Sequence, residues 1–194
     1  MLNAIQEAGI ALPPRIHLAN SAASLRGTAL TDLTTMSRSG IAIYGCPADA
    51  ETDSFGEKIE HGLLPVMSLK ATVSYVAHLD EGDAVSYGLR RPLQKPSLVA
   101  TLPLGYADGV CRGLWKEGAV LIDGKRRPFA GVICMDSLAV DCGDDEVSLG
   151  AEAVLLGTQC GDSISANEWG RLMGTIGYEI LCGITPRVGR VYLQ

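Results

Sequence analysis

No C-x-x-C pair occurs in this chain and no histidine stands in register to complete a zinc site, although six cysteines (Cys46, Cys111, Cys134, Cys142, Cys160 and Cys182) would allow disulfides on arithmetic alone. Their dispersal points instead to free thiols, mostly buried. No apolar run approaches the roughly 20 residues of a membrane span, and the start lacks a basic segment followed by an apolar one. Those two absences lead us to expect a soluble, cytoplasmic protein. Positive charge is also scarce: 16 Lys and Arg face 22 Asp and Glu, a net charge of −6, with the basic residues scattered. Nucleic acid and anionic membrane surfaces are therefore poor candidates for a partner. Neither an internal repeat nor a low-complexity segment appears.

What is present is apolar material for one good core or two small ones: 47% of the 194 residues are hydrophobic. Leu2, Ile5 and Ala8 share one face of a short helix that Gly9 can end. Residues 15–19 read as a short apolar strand, and Asn20-Ser21 stands before the helix-compatible stretch 22–26 as a cap. A second element ends at Arg38, and residues 40–45 form a third, bounded by glycines. Strands separated by a helix predict βα units and a parallel sheet. Between residues 46 and 61 the chain turns polar, and a domain boundary is expected there. Beyond it, short Val- and Leu-rich runs separated by turns predict a mainly-β domain, a barrel or sandwich. The exception is one helix opening at Ser165, three residues before Glu168, a capping box.

The stretch on which the rest is organised is Arg-Pro-Phe-Ala-Gly-Val-Ile-Cys-Met-Asp-Ser-Leu-Ala-Val-Asp, residues 127–141. Asp123-Gly124 before it suits the positive φ angles of a tight hairpin. After it, Leu138 and Val140 face one way and Ala139 and Asp141 the other, the period of a half-buried strand. Between lies Cys134-Met135-Asp136. Together with Val-Ser-Tyr-Gly at 85–88, Pro-Leu-Gly-Tyr-Ala-Asp-Gly at 103–109 and Gly-Thr-Ile-Gly-Tyr-Glu-Ile at 174–180, this stretch resembles the carboxy-terminal part of the alanine racemases. The resemblance covers nearly the whole chain. It implies a fragment of a (β/α)8 barrel over 1–55 followed by the racemase β domain over 62–194. It also implies pyridoxal 5'-phosphate (PLP) as cofactor and a head-to-tail homodimer in which each site needs both chains.

The resemblance assigns roles residue by residue. Asn20, Ser21, Gly40, Ile41 and Tyr178 are similar to a cradle for the cofactor phosphate, with glycine letting backbone amides approach an anion. Arg38 matches the arginine that faces the ring nitrogen; its proton is never surrendered, which leaves that nitrogen unprotonated and tempers the electron sink. His17 would lie beneath the ring. Tyr87 matches the catalytic tyrosine that reaches the partner's site and touches substrate, although a phenol of pKa about 10 is a poor base near neutrality unless a nearby cation or the cofactor lowers it. Met135 would offer its backbone amide to the substrate carboxylate, and Tyr106 and Asp136 would line the access corridor. Taken by residue type alone, Asn20-Ser21 reads as a helix cap, Arg38 as an exposed charge, His17 as a satisfied core residue and Tyr87 as a wet tyrosine at a strand end. Cys134 reads as a structural thiol, not a nucleophile.

One element of the family pattern is missing. The PLP lysine, in a Val-Lys-Ala-Asn-Ala-Tyr-Gly-like segment of an early strand, has no counterpart among the lysines here, at 58, 70, 95, 116 and 125. Without it one of two bases and the covalent attachment are gone, so this chain alone is expected to be inactive. A fragment of a PLP-dependent racemase for L- and D-alanine, supplying D-alanine for peptidoglycan, is the leading expectation, the remaining barrel half coming from a missing amino-terminal portion or a partner chain. A non-catalytic dimerisation or binding module and a sibling serine racemase stand as alternatives. About three barrel elements cannot close a cylinder and would leave edges exposed. Gly189 replaces a usual family proline, which predicts a looser last strand.

Overall fold

The computed structural model describes residues 1–28, 31–48 and 62–193. It divides into two compact units, Met1–Val66 and Met67–Gln194. The polar segment in which a boundary is expected lies mostly outside the described residues.

In the first unit, helix α1 (Leu2–Glu7) buries no side chain. Strand β1 (His17–Asn20) runs parallel to β2 (Met36–Arg38), with Asn20 opposite Arg38 and helix α2 (Ser21–Leu25) between them in the chain. Asn20 caps α2: its Oδ1 accepts from the Ala23 amide at 3.0 Å, satisfying one of the donors that a helix start leaves free. The expected third element is not a strand. Residues Ile41–Tyr44 form a 3-10 turn, in which the Ile43 amide donates to the Gly40 carbonyl at 3.0 Å and the Gly45 amide to that of Ala42 at 3.0 Å. Gly45, at φ +69°, has no room for a side chain, because a Cβ would fall 1.8 Å from the Leu64 carbonyl oxygen. Ile16, Ala19, Ile41 and Cys46 are buried, while Leu18, Met36, Ile43 and Tyr44 are exposed.

The described residues of the second unit form eight strands: β3 (Leu69–Thr72), β4 (Tyr75–Leu79), β5 (Ser97–Leu102), β6 (Ala119–Ile122), β7 (Lys125–Pro128), β8 (Leu138–Asp141), β9 (Glu152–Gln159) and β10 (Asp162–Ile164). They make two antiparallel sheets. In the five-stranded one, β9 pairs with β3, β6 and β10, and β6 pairs with β7; in the other, β5 lies between β4 and β8. The unit is mainly β, as expected.

Local signals account for much of this. Asp123 and Gly124, at φ 54° and 72°, turn β6 into β7, and β8 alternates between buried and half-buried positions as its sequence predicts. Helix α3 (Ala166–Met173) opens on Ser165, whose Oγ accepts from the Glu168 amide at 3.0 Å, and closes on left-handed Gly174. Its Trp169 is fully buried.

Three expectations need correction. A second helix, α4 (Gly177–Gly183), follows α3; its start has no side-chain cap, so the sequence carried no start signal. Among the described residues no strand forms around Gly189, where a last one is expected, and Val191, Tyr192 and Leu193 are exposed. None of the six cysteines forms a disulfide, but only Cys46 and Cys142 are buried. Among the described residues no helix is long and apolar enough to cross a membrane, and no His, Cys, Asp or Glu cluster could hold a metal.

Candidate active-site residues

Parallel pairing sets the first group. Because β1 and β2 run side by side in the same direction, the residues at and beyond their carboxy-terminal ends meet, the position where α/β sheets carry ligands. Arg38 Nη1 lies 3.0 Å from His17 Nδ1 and donates to the His17 carbonyl at 3.1 Å. An arginine cannot accept, so Nδ1 is the acceptor and the imidazole proton sits on Nε2. The Gly40 amide donates to Ser21 Oγ at 2.8 Å. His17, Asn20, Ser21, Arg38, Gly40 and Ile41 are thus one cluster, although up to 24 residues separate them in the chain. Ser21 and Ile41 are buried; His17, Asn20, Arg38 and Gly40 are exposed. The Asn20 side chain is spent on the cap, as its residue type alone suggests.

In the second unit the stretch from Phe129 is buried through Ile133 and then turns out at Cys134-Met135-Asp136, where the Cys134 amide bonds back to the Ser137 carbonyl at 2.9 Å. Met135 is half exposed. The loop holding Tyr106 is stitched onto this turn: the Tyr106 amide donates to the Cys134 carbonyl and the Ala107 amide to that of Met135, both at 3.0 Å. Only glycine fits at 105, since a Cβ there would meet the Cys134 and Met135 carbonyl oxygens at 2.3 Å. Tyr106, Met135 and Asp136 therefore stand together.

Sequence reasoning gave no role to the residues that fasten this group. Asp108, almost buried, accepts from the Gly105 amide at 2.8 Å. Arg187 reaches both Asp136, at 2.5 Å, and Asp108, at 3.3 Å, and the Asp136 hydrogen bond followed by the charge of Asp108 raises its pKa above the ordinary value. Thr185 donates its hydroxyl to the Ala107 carbonyl at 2.9 Å. Asp108 lies inside a motif already singled out; nothing local marked Thr185 or Arg187.

Tyr87 opens a 3-10 turn, Tyr87–Leu89, and its side chain is 75% exposed. Tyr178 sits in the first turn of α4, half-buried. It belongs to the second unit, whereas the other residues expected to hold the cofactor phosphate lie in the first. The end of α4 packs on Gly109, where a Cβ would come 2.4 Å from the Gly183 carbonyl oxygen, so α4 and the Tyr106 loop are joined.

This donor set suits part of PLP. A guanidinium fixed on an imidazole, a buried hydroxyl and a glycine-flanked backbone match a heterocycle bearing an anion. The amine that would attach the aldehyde is not among the described residues of the first unit, and Lys70, Lys95 and Lys125 are engaged with Glu152, Asp144 and Asp145.

Residues 66–192 match the family described as "Alanine racemase, C-terminal domain". The alanine racemase of Carboxydothermus hydrogenoformans is 45% identical over 179 residues, 91% of this chain and 47% of that protein. That of Clostridium tetani is 38% identical over 198 residues, 99% of this chain and 48% of that protein. Among solved structures, the alanine racemase of Streptomyces coelicolor superposes with a TM-score of 0.84 at 38% identity, over 99% of this chain and 49% of that one. The Bacillus anthracis enzyme with bound L-Ala-P gives 0.83 at 35%, over 100% and 48%. The chain thus spans about half the length of the curated relatives it matches, and it belongs to the alanine racemase family, corresponding to the carboxy-terminal part.

Proposed function

We propose that this chain forms the carboxy-terminal part of a PLP-dependent alanine racemase, cytoplasmic and dimeric head to tail, whose product D-alanine serves peptidoglycan. The observation that supports it most is the cluster at the ends of β1 and β2, where Arg38 is held on His17 and Gly40 on Ser21. When bound, PLP supplies an electron sink for the charge left as the substrate Cα loses its proton.

The chain's own residues then have distinct tasks. The Arg38 guanidinium donates toward the ring nitrogen and keeps its proton, while His17 fixes its orientation. Ser21, Gly40, Ile41 and Tyr178 hold the phosphate. The Met135 amide holds the substrate carboxylate, and Tyr106 and Asp136 shape the corridor that leads to it. Tyr87, exposed on one protomer, takes or returns the Cα proton in the partner's site. The second base and the covalent anchor come from a lysine in a different segment.

Purified alone, the 194-residue chain should not interconvert L- and D-alanine. Mixed with a polypeptide carrying the lysine-bearing barrel half, it should gain racemase activity, and Tyr87→Phe should abolish it. Turnover by the chain alone would overturn the division of labour. Failure of every lysine-bearing partner to restore activity, with the complex formed and PLP bound, would favour a non-catalytic module. Faster turnover of serine than alanine would assign the sibling activity.

A further inference from the structure

The geometry points to Ser86 and Gly131 as the residues that position Tyr87, an assignment that rests on Tyr87 being the base proposed above. Four described non-glycine residues have positive φ: Ser86 (67°), Leu89 (45°), Asp123 (54°) and Cys160 (49°). Asp123 and Cys160 each precede a glycine in a two-residue hairpin turn, where positive φ is the demand of the turn. Ser86 and Leu89 have no such reason. With Gly88 at φ 77°, three of the four residues 86–89 lie on the disfavoured side of the backbone map, and the residue they surround is Tyr87.

Strain of this kind persists only where neighbours over-determine it. Val85 packs on the core cluster of Leu93, Val99 and Ala130, which anchors the loop at one side. Gly131, the next residue along, leaves the space: a Cβ there would lie 2.6 Å from the Val85 carbonyl oxygen and 2.7 Å from Ser86 Oγ. The Leu89 amide closes the turn on the Ser86 carbonyl at 3.4 Å. Ser86 Oγ is buried without a hydrogen-bond partner among the described residues, so the hydroxyl does not hold the loop. What matters at 86 is a side chain small enough to sit against Gly131. The Tyr87 side chain is itself largely free of neighbours at 75% exposure. Its direction is therefore set by the backbone on either side, and that backbone is set by how closely residues 85 and 86 can approach Gly131. The same stretch that turns out Met135 and Asp136 thus also aims Tyr87.

The test uses the 194-residue chain labelled with 3-fluorotyrosine, whose six tyrosines give six fluorine lines, that of Tyr87 being identified by Tyr87→Phe. Gly131→Ala and Ser86→Val should each move the Tyr87 line from its position in the unsubstituted chain while the lines of Tyr75 and Tyr192 stay put. Ser86→Gly, which adopts positive φ without strain, should leave it in place. In the reconstituted racemase, Gly131→Ala should lower kcat about 100-fold with KM little changed, the penalty of a misplaced base, and Ser86→Gly should retain most of the rate. If Gly131→Ala does not fold, Ser86→Val carries the comparison. A Tyr87 line unmoved by Ser86→Val, or moved equally by Ser86→Gly, overturns the assignment. Because the fluorine readout needs no activity, moved lines with no effect on a working racemase would sink the catalytic reading of Tyr87 and leave its positioning by Ser86 and Gly131 standing.

Discussion

The two units solve the problem of an open sheet differently. The second closes its hydrophobic surface with antiparallel partners: β9 has neighbours along its whole length, β5 lies between two strands, and Trp169, Phe129, Leu121, Ile122 and Leu155 are fully buried. The first has a parallel pair with 44–45% of Leu18 and Met36 exposed, although parallel strands ordinarily need both faces covered. The chemistry is divided the same way. The exposed pair and the residues just beyond its ends carry the proposed cofactor-holding residues other than Tyr178, whereas the second unit carries Tyr178 and the turns proposed to meet substrate. A two-stranded sheet left open in this way has little buried surface of its own to hold it together.

The largest test of this contrast is core truncation. Trp169→Ala should destabilise the second unit by about 3–5 kcal/mol, read as a lower urea midpoint for its transition. Leu18→Ala in the first unit should stay within about 0.5 kcal/mol. A large loss at Leu18 would show that its side chain is covered after all. Next, amide exchange should be far faster in β1 and β2 than in β5 and β9, since opening the former exposes little buried surface. Comparable protection would break the contrast.

Gly105→Ala sharpens it within the second unit. The added Cβ would meet two backbone oxygens that cannot rotate away, at a cost of about 1–3 kcal/mol. The damage should centre on the Tyr106 and Met135 amides, visible as shifts in an amide spectrum with β9 unchanged.

What the sequence made legible was local. The hairpin at Asp123-Gly124, the cap at Asn20, the cap at Ser165 and the alternation through β8 each rest on residues within four positions of one another, although the Glu168 carboxylate that would complete a capping box is taken by Arg126 instead. The element at 40–45 misled because a short apolar run does not distinguish strand from 3-10 turn; the hydrogen bond from the Ile43 amide to the Gly40 carbonyl decides it. Helix α4 starts at Gly177 with no capping side chain, so no start signal existed. The candidate site follows the same rule. Its motifs were visible, but the Arg38–His17 and Ser21–Gly40 contacts, and Arg187 bridging Asp108 and Asp136, join positions 19 to 79 residues apart, beyond the reach of any periodicity.

The smallest effect concerns charge. Arg126 gathers Asp162 at 2.8 Å and Glu168 at 2.7 Å, tying β7 to β10 and to the first turn of α3. Its hydrogen bonds, helped by the Ser163 amide, hold the Asp162 carboxyl below the usual carboxylate range, and Lys125 and then Arg127 do the same for Asp145. A folded-state pKa below the unfolded one gives stability that is complete above the unfolded value, about 4, and is lost as pH falls through the lowered one. Acid should therefore weaken the second unit below about pH 4, and Arg126→Met should flatten the part of that slope due to Asp162. Both carboxylates are solvent-exposed, so the change should be slight and should fade in high salt. An acid slope unchanged by Arg126→Met would place the acid sensitivity at other carboxylates.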